Sequence, residues 1–454
     1  MTESEALELL APLEDCNNLY QETYLGIPIY RLFRWIVCPA FIKTRNEGFA
    51  VDNSIKSVSI KRVLKATLYS ICDIVLLLIR EKNIRVVFFP NFRLFDIDNG
   101  LMDKFSDPII SESGIESNSI ILQRSYYMEY RHKRKNKKRL CQVEVIDFIS
   151  YAIPKFIYPF YSLTKKKKEI DNLIRRIGNI IKVDSQFRKR LHYEFLSFVV
   201  AYRFYKFFLK KIGCKYVIAV IKGNNYPQIL AAHQLGLKAY EIQHGVTMDK
   251  TILYGGTYNA ILDPDAFLTF GEMWKGPQFG MPLDRIYNIG FAYKNYIKKV
   301  VPEIIDNAVL VVSSPEITEP MVNATLLLAS SYPEILFYFR PHPHEGLTEE
   351  QLQSVAKYDN IRFSDKSVDS NIEVVKYKYV IGTNSSVLFE AASLGAKVGR
   401  LRFAGLDCMH FQGDENFCYI DTVKDFETFL NKEFKIDIEA YSDFNKELFL
   451  SLIN

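Results

Sequence analysis

The stretch YVIGTNSSVLFEAASLGAKVGRL, residues 379–401, contains two strand patterns on either side of a helix pattern. Tyr379–Ile381 is a compact apolar run that predicts a buried strand, and Gly382 allows a tight turn after it. Ser385–Leu394 has apolar residues at helical spacing, and Lys397–Leu401 again predicts a strand. A strand, a helix and a second strand joined by short loops predict a parallel β-α-β unit.

The same alternation continues on the N-terminal side of this stretch. Two series of strands alternating with helices predict two doubly wound α/β domains with parallel sheets. The second series has predicted strands at Val309–Val312, Leu336–Phe339 and Ile361–Phe363, and helices at Met321–Ser331 and Glu349–Ala356. The first series has predicted strands at Arg85–Pro90, Tyr216–Ile221, Ala239–Ile242, Ala266–Phe270 and Ile286–Ile289, and a helix at Tyr226–Leu235.

The tract Gly290–Val301 has the pattern of a hinge followed by a helix, and it separates the two series. We therefore expect an N-terminal domain over residues 1–300 and a C-terminal domain over residues 301–454. The N-terminal domain has further helical patterns at Ala6–Leu13 and Val58–Ile79, and a basic helical insertion over about residues 130–211. A length of 454 residues fits two domains, because single cores rarely grow beyond about 300 residues.

Composition and charge exclude several classes of protein. Hydrophobic residues make up 48% of the chain and charged residues 24%, which is typical of a globular protein and not of a disordered one. Seven scattered cysteines without a CxxC pair favour reduced thiols, so no metal site and no cofactor are expected. The acidic N-terminus lacks a signal-peptide pattern, and the longest apolar run, Cys72–Ile79, is too short to span a bilayer. We expect a cytoplasmic protein.

Three loops that follow predicted strands have side chains suited to chemistry, because ligands bind beyond the carboxyl ends of parallel strands. The first loop is FRPHPHE, residues 339–345, which two prolines make rigid. Arg340 and His342 could donate hydrogen bonds to a phosphate there at low ordering cost. The alternative is a polar loop in which His342 is only a structural hydrogen-bonding group.

The second loop is GTNSS, residues 382–386, between a predicted strand and a predicted helix. Thr383, Ser385 and Ser386 would lie where a helix presents free amides, which suits a phosphate, although the same residues could be an ordinary helix cap. Glu390 lies about one and a half turns into the helix and could reach a ribose. Ser314, after the first strand of the second series, is a further candidate for nucleotide contact.

The motifs at residues 340–343 and 385–391 resemble, in order and rough separation, the HP and SS motifs of bacterial GT-B sialyltransferases. They also resemble the corresponding sites of capsule Kdo transferases and of teichoic-acid glycerophosphotransferases. The resemblance covers about a third of the chain. It implies the GT-B fold, which is two facing Rossmann-like domains, and it implies that His342 and the pair Ser385 and Ser386 hold the phosphate of the donor.

The third loop, EIQHG at residues 241–245, also follows a predicted strand. With FLTFGE at residues 267–272, it is similar to a pattern common in bacterial surface-polysaccharide proteins. His244 could act as a base or bind donor or acceptor, or it could be a buried histidine that hydrogen-bonds to the backbone.

The tripeptide Asp98-Asn99-Gly100 is a candidate for the catalytic base. Sialyltransferases of this type have an acidic-acidic-glycine motif in the N-terminal domain, and this sequence departs from that motif at Asn99. The alternative is an ordinary turn. Asp96 and Asp98 also match the metal-binding DxD of another glycosyltransferase fold, which the two Rossmann-like series argue against.

Two basic runs, Arg131–Arg139 and Lys165–Lys168, stand beside aromatic residues. Most charge runs are solvated faces, but basic residues beside aromatics also suit an anionic membrane surface at the inner face of the plasma membrane. Nucleic acid is not an expected partner, because no recognition motif accompanies the net charge of +5.

Together these patterns predict a glycosyltransferase that moves a sugar from a nucleotide donor to a hydroxyl of a bacterial surface glycan. The favoured donor is CMP-sialic acid, followed by CMP-Kdo, and the acceptor is a glycan or a lipid-linked glycan. His342, with Arg340 and the serine pair, would stabilise the leaving phosphate, and Asp98 or His244 would deprotonate the acceptor. Three alternatives remain: a polyol phosphotransferase that uses a CDP-alcohol, a UDP-sugar 2-epimerase, and a non-catalytic subunit of polysaccharide assembly.

Overall fold

The structure is a computed structural model of the 454-residue chain. It describes all residues except 1–2, 46–58, 81–82, 92–93, 98–99, 125–132, 135–138, 162, 246–257, 276–280, 300–302, 315–316, 343–344, 366–367, 384, 404–416 and 433–438.

Helices and strands alternate over most of the chain. The helices are α1 Glu3–Cys16, α2 Tyr30–Arg45, α3 Ile60–Arg80, α4 Ser106–Ser113, α5 Glu144–Tyr161, α6 Lys165–Ile177, α7 Ser185–Ile212, α8 Tyr226–His233, α9 Lys294–Lys299, α10 Thr318–Ser331, α11 Glu349–Val355, α12 Ser370–Val374, α13 Val387–Ser393, α14 Val423–Asn431 and α15 Lys446–Leu452. The strands are β1 Thr23–Tyr24, β2 Ile27–Pro28, β3 Val86–Phe89, β4 Leu94–Ile97, β5 Gly100–Asp103, β6 Ser119–Gln123, β7 Leu140–Gln142, β8 Tyr216–Val220, β9 Lys238–Ile242, β10 Ala266–Thr269, β11 Ile286–Asn288, β12 Ala308–Val312, β13 Leu336–Arg340, β14 Ile361–Phe363, β15 Tyr379–Gly382, β16 Lys397–Leu401 and β17 Cys418–Ile420.

The chain forms two compact units, each around its own sheet. Unit 1 comprises residues 1–268, 276–287 and 446–454, and unit 2 comprises residues 269–275 and 288–445. The sequence placed a single boundary at residue 300. The difference arises because the chain crosses between the units more than once, and its last helix, α15, packs against α4 of unit 1.

The sheet of unit 1 has the strand order β7-β6-β3-β8-β9-β10-β11, and the pairs from β7 to β10 are parallel. Its interior strand β3, with the sequence VVFF, is buried along its whole length, as expected for a strand covered on both faces. The 28-residue helix α7 packs against α5 and α8; it starts at the cap Asp184, whose side chain accepts from the amide of Phe187, and ends at Gly213 with a positive φ of 73°.

The sheet of unit 2 has the order β14-β13-β12-β15-β16-β17, and all its strand pairs are parallel. The chain builds the sheet outward from β12 in one direction, then restarts beside β12 with β15 and builds in the other direction. This is the doubly wound order of a Rossmann domain. Together with the sheet of unit 1, it confirms the predicted α/β class with two Rossmann-like domains.

Two glycines allow the segment at residues 439–445 to pass closely along unit 2. A Cβ atom on Gly271 would lie 2.1 Å from the carbonyl oxygen of Glu439, and one on Gly290 would lie 2.1 Å from that of Asp443. Trp274 anchors the same segment, because its indole N–H donates to the carbonyl of Ala440 over 2.6 Å. These contacts place residues 269–275 in unit 2.

The sequence predicts a loop after β3 that contains Asp96, Asp98, Asn99 and Gly100, and the structure instead has a hairpin there. Strands β4 and β5 pair antiparallel, with Ile97 opposite Gly100, and Asp96 is an exposed strand residue. The loop prediction was wrong because the run Leu94–Ile97 mixes polar and apolar residues over only four positions. Asp98 and Asn99 lie outside the described residues, so the role of Asp98 as a base stays a prediction.

The basic runs are largely paired with acidic residues where the structure describes them. Arg134, in the first run, is buried, and its guanidinium contacts Asp107 over 2.9 Å. In the second run, Lys166 pairs with Glu169 and Lys167 with Asp171 along helix α6. Contact with a membrane surface stays a prediction. Among the described helices, none is both long and apolar enough to cross a bilayer.

Candidate functional site

The candidate nucleotide site of unit 2 lies where the strand order reverses, at the carboxyl ends of β12 and β15. Open α/β sheets bind ligands at such a point, because the loops diverge there and leave a crevice. Gly382 ends β15 in close contact with β12: a Cβ atom at this position would lie 2.8 Å from the carbonyl oxygen of Val312. The two strand ends can therefore approach this closely only with glycine at residue 382.

A buried carboxylate joins two of the loops at this edge. Glu345 accepts a hydrogen bond of 2.7 Å from the hydroxyl of Ser313, which follows β12. Its other carboxylate oxygen accepts from the backbone N–H of His342, which follows β13, also over 2.7 Å. Since Glu345 is only 5% exposed, these bonds are sheltered from water and fix the path of the loop. The imidazole of His342 is partly exposed beside it.

Arg340, the last residue of β13, has extensive contacts within unit 2. Its guanidinium donates to the hydroxyl of Ser364 over 3.0 Å and to the carbonyl oxygens of Asp365 and Val368 over 3.0 and 2.6 Å. These bonds tie β13 to the loop after β14. Phosphate contact by Arg340 stays a prediction, and it would have to coexist with these bonds or replace some of them.

The loop after β15 holds the predicted serine pair near a short helix. The hydroxyl of Ser385 accepts from the amide of Val387 over 3.3 Å, so it caps the first turn of α13. Ser386 is partly exposed and makes no side-chain cap bond. Thr383 is buried: its hydroxyl contacts the sulfur of Met321 over 3.5 Å, and its carbonyl accepts from Arg400. Its hydroxyl therefore points into the protein in this structure.

Glu390 and Ser314 are the remaining predicted nucleotide contacts. Glu390 lies in α13 and is 7% exposed, and it accepts a hydrogen bond of 3.2 Å from Ser370 at the start of α12. The hydroxyl oxygen of Ser314 is buried and has no hydrogen-bond partner among the described residues. Buried hydroxyls are normally satisfied, so this one indicates a place for a ligand atom or a water molecule.

In unit 1, His244 lies after β9 and beside an aromatic side chain. Its ring centre is 5.2 Å from that of Phe105, with the planes tilted by 40°. The preceding Gln243 is buried, and its amide donates to the carbonyl of Gly245 over 2.6 Å, which shapes the turn that presents His244. His244 is partly exposed, and its role as a base or as a ligand of donor or acceptor stays a prediction.

A buried carboxylate pair near Phe105 was not predicted from the sequence. Asp107 accepts from the amide of Asp103 over 2.7 Å and pairs with Arg134. Burial, followed by repulsion from Asp107, raises the pKa of Asp103 to about 7. The signal was the DxxxD spacing on a strand and the helix after it, which is too common to single out. Within the described ranges, no three His, Cys, Asp or Glu side chains are grouped to hold a metal ion.

The fold has known counterparts among solved structures. No protein-family model matches the chain, and no curated protein sequence matches it. Among solved structures, the UDP-GlcNAc 2-epimerase of Methanocaldococcus jannaschii is similar, with a TM-score of 0.50 and 11% identity over 82% of this chain and 99% of that one. The chain has a GT-B-type fold.

Two further solved structures match with lower scores. The UDP-GlcNAc 2-epimerase of Neisseria meningitidis bound to UDP-GlcNAc has a TM-score of 0.47 and 12% identity, over 81% of this chain and 98% of that one. A calicheamicin glycosyltransferase has a TM-score of 0.38 and 10% identity, over 70% of this chain and 79% of that one. At these identities the similarity establishes the fold alone, and the expected GT-B architecture is confirmed at that level.

Proposed function

We propose that the protein is an enzyme that acts on a pyrimidine nucleotide sugar, which unit 2 binds where its strand order reverses. The observation that carries this proposal is the buried, unpartnered hydroxyl of Ser314, which follows β12 at the point where the strand order reverses and where the serine pair follows the neighbouring strand β15. The loop of His342 adjoins this point, because Glu345 ties that loop to Ser313.

Each side chain has a role that its position supports. Ser385, Ser386 and the imidazole of His342 are partly exposed and can donate hydrogen bonds to phosphate oxygens. Glu390, held by Ser370, would accept hydrogen bonds from the ribose hydroxyls. Ser314 would use its buried hydroxyl to contact the nucleotide. Charge on a leaving phosphate would be stabilised by donors that are already oriented, which is where much of enzymatic rate enhancement originates.

Two reactions of a nucleotide sugar are compatible with this site. Inversion of a UDP-sugar at C2 has the support of the fold, since both UDP-GlcNAc 2-epimerases match over more than nine tenths of their length. Transfer of an acid sugar from a CMP donor to a glycan has the support of the order of the motifs at residues 340–343 and 385–391. The first needs no acceptor, whereas the second does.

Calorimetric titration with UDP, CMP, CDP and GDP tests the proposal. We expect micromolar binding of at least one pyrimidine nucleotide and much weaker binding of GDP. We further expect His342→Ala to lower turnover by about a hundredfold, as for loss of one donor to a developing charge. Binding of GDP alone, or of no nucleotide, would overturn the proposal.

Product analysis then distinguishes the two reactions. UDP-GlcNAc incubated alone and followed by NMR would give its C2 epimer if the protein is an epimerase. CMP-sialic acid would release CMP and form a glycoside only when a glycan acceptor is present if the protein is a transferase. An unchanged UDP-GlcNAc together with acceptor-dependent release of CMP would exclude the epimerase.

A further inference from the structure

Unit 1 contains a cavity of about 340 Å³ that none of the predicted site residues lines. It lies between helices α2 and α7 and the segment after β8, and we call it the arginine cavity. Three arginines line it, Arg31, Arg34 and Arg124, together with the aromatic side chains of Trp35 and Tyr226. Its volume falls within the range of about 300–1,000 Å³ that is usual for small-molecule sites.

The arginines from helix α2 are held in place by buried acids. The Nε of Arg34 donates to Glu14 over 3.0 Å, and Glu14 also accepts from the hydroxyls of Tyr20 and Tyr30. Arg31 contacts Asp263 over 2.7 Å, with side chains that are 7% and 1% exposed. Because these bonds fix the guanidinium groups in advance, a ligand would lose little free energy to ordering them.

Arg124 enters the cavity from the end of β6. Its guanidinium donates to the carbonyl of Asn224 over 3.1 Å and lies 3.5 Å from Asp147. Asn224 belongs to the segment after β8, where Ile221 has a positive φ of 65° and Asn225 holds the backbone by donating to two carbonyls. A β-branched residue in this conformation is strained, and such strain persists only where the surrounding contacts hold the backbone in place. The cavity wall is therefore held rigidly by its contacts.

Guanidinium groups dominate the charged surface of the lining. Three arginines and one carboxylate, that of Glu194 on α7, line the cavity. Each arginine also contacts an acid, Asp263, Glu14 or Asp147, so the arginines act on a ligand mainly as oriented hydrogen-bond donors. Arginine also offers paired N–H donors that match the geometry of a carboxylate or a phosphate.

The aromatic side chains favour a ring-shaped body on the ligand. Trp35 is 46% exposed although it is among the largest side chains of the protein, and its indole forms part of the cavity wall. Flat aromatic faces pack well against the C–H face of a sugar ring, and Ser150 and Ser197 on the same lining offer hydrogen bonds to hydroxyls.

We propose that the arginine cavity binds a monosaccharide that carries a carboxylate or a phosphate group. The arginines would hold the anionic group, and Trp35 and Tyr226 would contact the ring. This site lies wholly within unit 1 and shares no residue with the nucleotide site proposed for unit 2, so the two proposals can fail separately.

Tryptophan fluorescence of the full chain provides a direct test. The protein has two tryptophans, Trp35 in the cavity wall and Trp274, which is 2% exposed in unit 2. We expect saturable fluorescence changes with glucuronate or with glucose 6-phosphate and none with glucose. Inorganic phosphate and acetate show whether the anionic group alone suffices. The response should disappear in Trp35→Phe, while calorimetry still detects binding to that variant.

Matched variants locate the site. Arg34→Gln should weaken binding about tenfold or more, as for loss of a charge-assisted hydrogen bond, and leaves Glu14 its two tyrosine donors. Arg175→Gln, which removes an exposed arginine of α6, should leave affinity unchanged. Ala201→Phe, which adds bulk to the cavity wall without changing charge, should abolish binding.

The proposal is overturned if neither anionic sugar gives a saturable response at millimolar concentration, or if glucose responds equally. It is also overturned if Arg34→Gln and Arg175→Gln behave alike, or if the response survives in Trp35→Phe.

Discussion

At the scale of single residues, Glu345 has the most consequential contacts in unit 2. One carboxylate fixes the loops after two different strands, because Ser313 and the backbone of His342 each donate to one of its oxygens. The sequence places Glu345 in the FRPHPHE loop but gives no reason to select it. Its partner Ser313 is 32 residues away in the chain, and only the parallel pairing of β12 with β13 brings them together.

We expect Glu345→Gln to destabilise the protein by about 1–3 kcal/mol, because an amide NH₂ cannot accept the bond that a carboxylate oxygen accepts. Nucleotide affinity should fall as well, since the loop of His342 loses its anchor. Urea unfolding and calorimetric titration measure the two effects. Glu350→Gln, an exposed change in α11, is the control, and equal stability of the two variants would contradict the role of Glu345.

The pH dependence of stability should report on Glu194. Burial raises its pKa from 4.5 to about 7 in the folded protein, against the opposing effects of Arg190 and of a hydrogen bond from Trp35. Between these two pH values the folded state keeps a proton that the unfolded chain has released, so this group's contribution to stability falls as pH rises and levels off above about 7.

Glu194→Gln removes this dependence without changing the size of the side chain. We expect the variant to gain stability relative to the wild type between about pH 5 and pH 8, as measured by urea midpoints. Glu116→Gln, at an exposed position of unit 1, should show no such gain. A constant difference between wild type and Glu194→Gln at the two pH values would argue that Glu194 titrates normally.

At the scale of elements, the close contact between β12 and β15 leaves little room for a side chain at residue 382. We expect Gly382→Ala to destabilise the protein by about 1–3 kcal/mol, because the new Cβ would lie 2.6 Å from a methyl of Val312 and 2.8 Å from its carbonyl oxygen. Gly346→Ala meets nothing within 4 Å and should be close to neutral. Thermal unfolding compares the two, and a neutral Gly382→Ala would show that the strand ends can separate.

The elements that the sequence predicted are those with long apolar runs. The strands from β12 to β16 were placed within one or two residues of their observed bounds. Strand β12, which is buried along its whole length, has the continuous apolar sequence typical of a parallel strand covered on both faces. The edge strands β7 and β17 were missed, and so was the interior strand β6, whose five residues are all buried. The two edge strands have three residues each, and β7 follows a basic run that favours other predictions. A strand this short forms because it pairs with its neighbour in the sheet, and its own sequence has too few residues to show a recognisable strand pattern.

At the scale of the whole molecule, the sequence predicted the α/β class and two Rossmann-like domains but not how the chain is divided between them. The return of residues 446–454 to unit 1 depends on contacts across the length of the chain. The hydroxyls of Tyr216 and Tyr240 donate to the carbonyls of Asn454 and Leu452 over 3.0 and 2.8 Å. Local sequence patterns carry no information about such partners.

We expect Phe449→Ala to cost about 3–5 kcal/mol, because this fully buried side chain of α15 would leave a cavity in unit 1. Glu447→Ala, at an exposed position of the same helix, should cost little. Denaturant unfolding gives both values. If Phe449→Ala proved as mild as Glu447→Ala, α15 would contribute little to unit 1 despite its burial.

The division of the chain also bears on the order of events during translation. The ribosome makes residues 288–445, nearly all of unit 2, after most of unit 1 and before helix α15, which also belongs to unit 1. Domains generally fold as they are synthesised, the N-terminal one first. Here the strands of unit 1 have already been synthesised while unit 2 is being made. During that time Tyr216 and Tyr240 still lack the hydrogen-bond acceptors that α15 and the residues after it supply. Unit 1 therefore reaches its final form only after unit 2 has been synthesised.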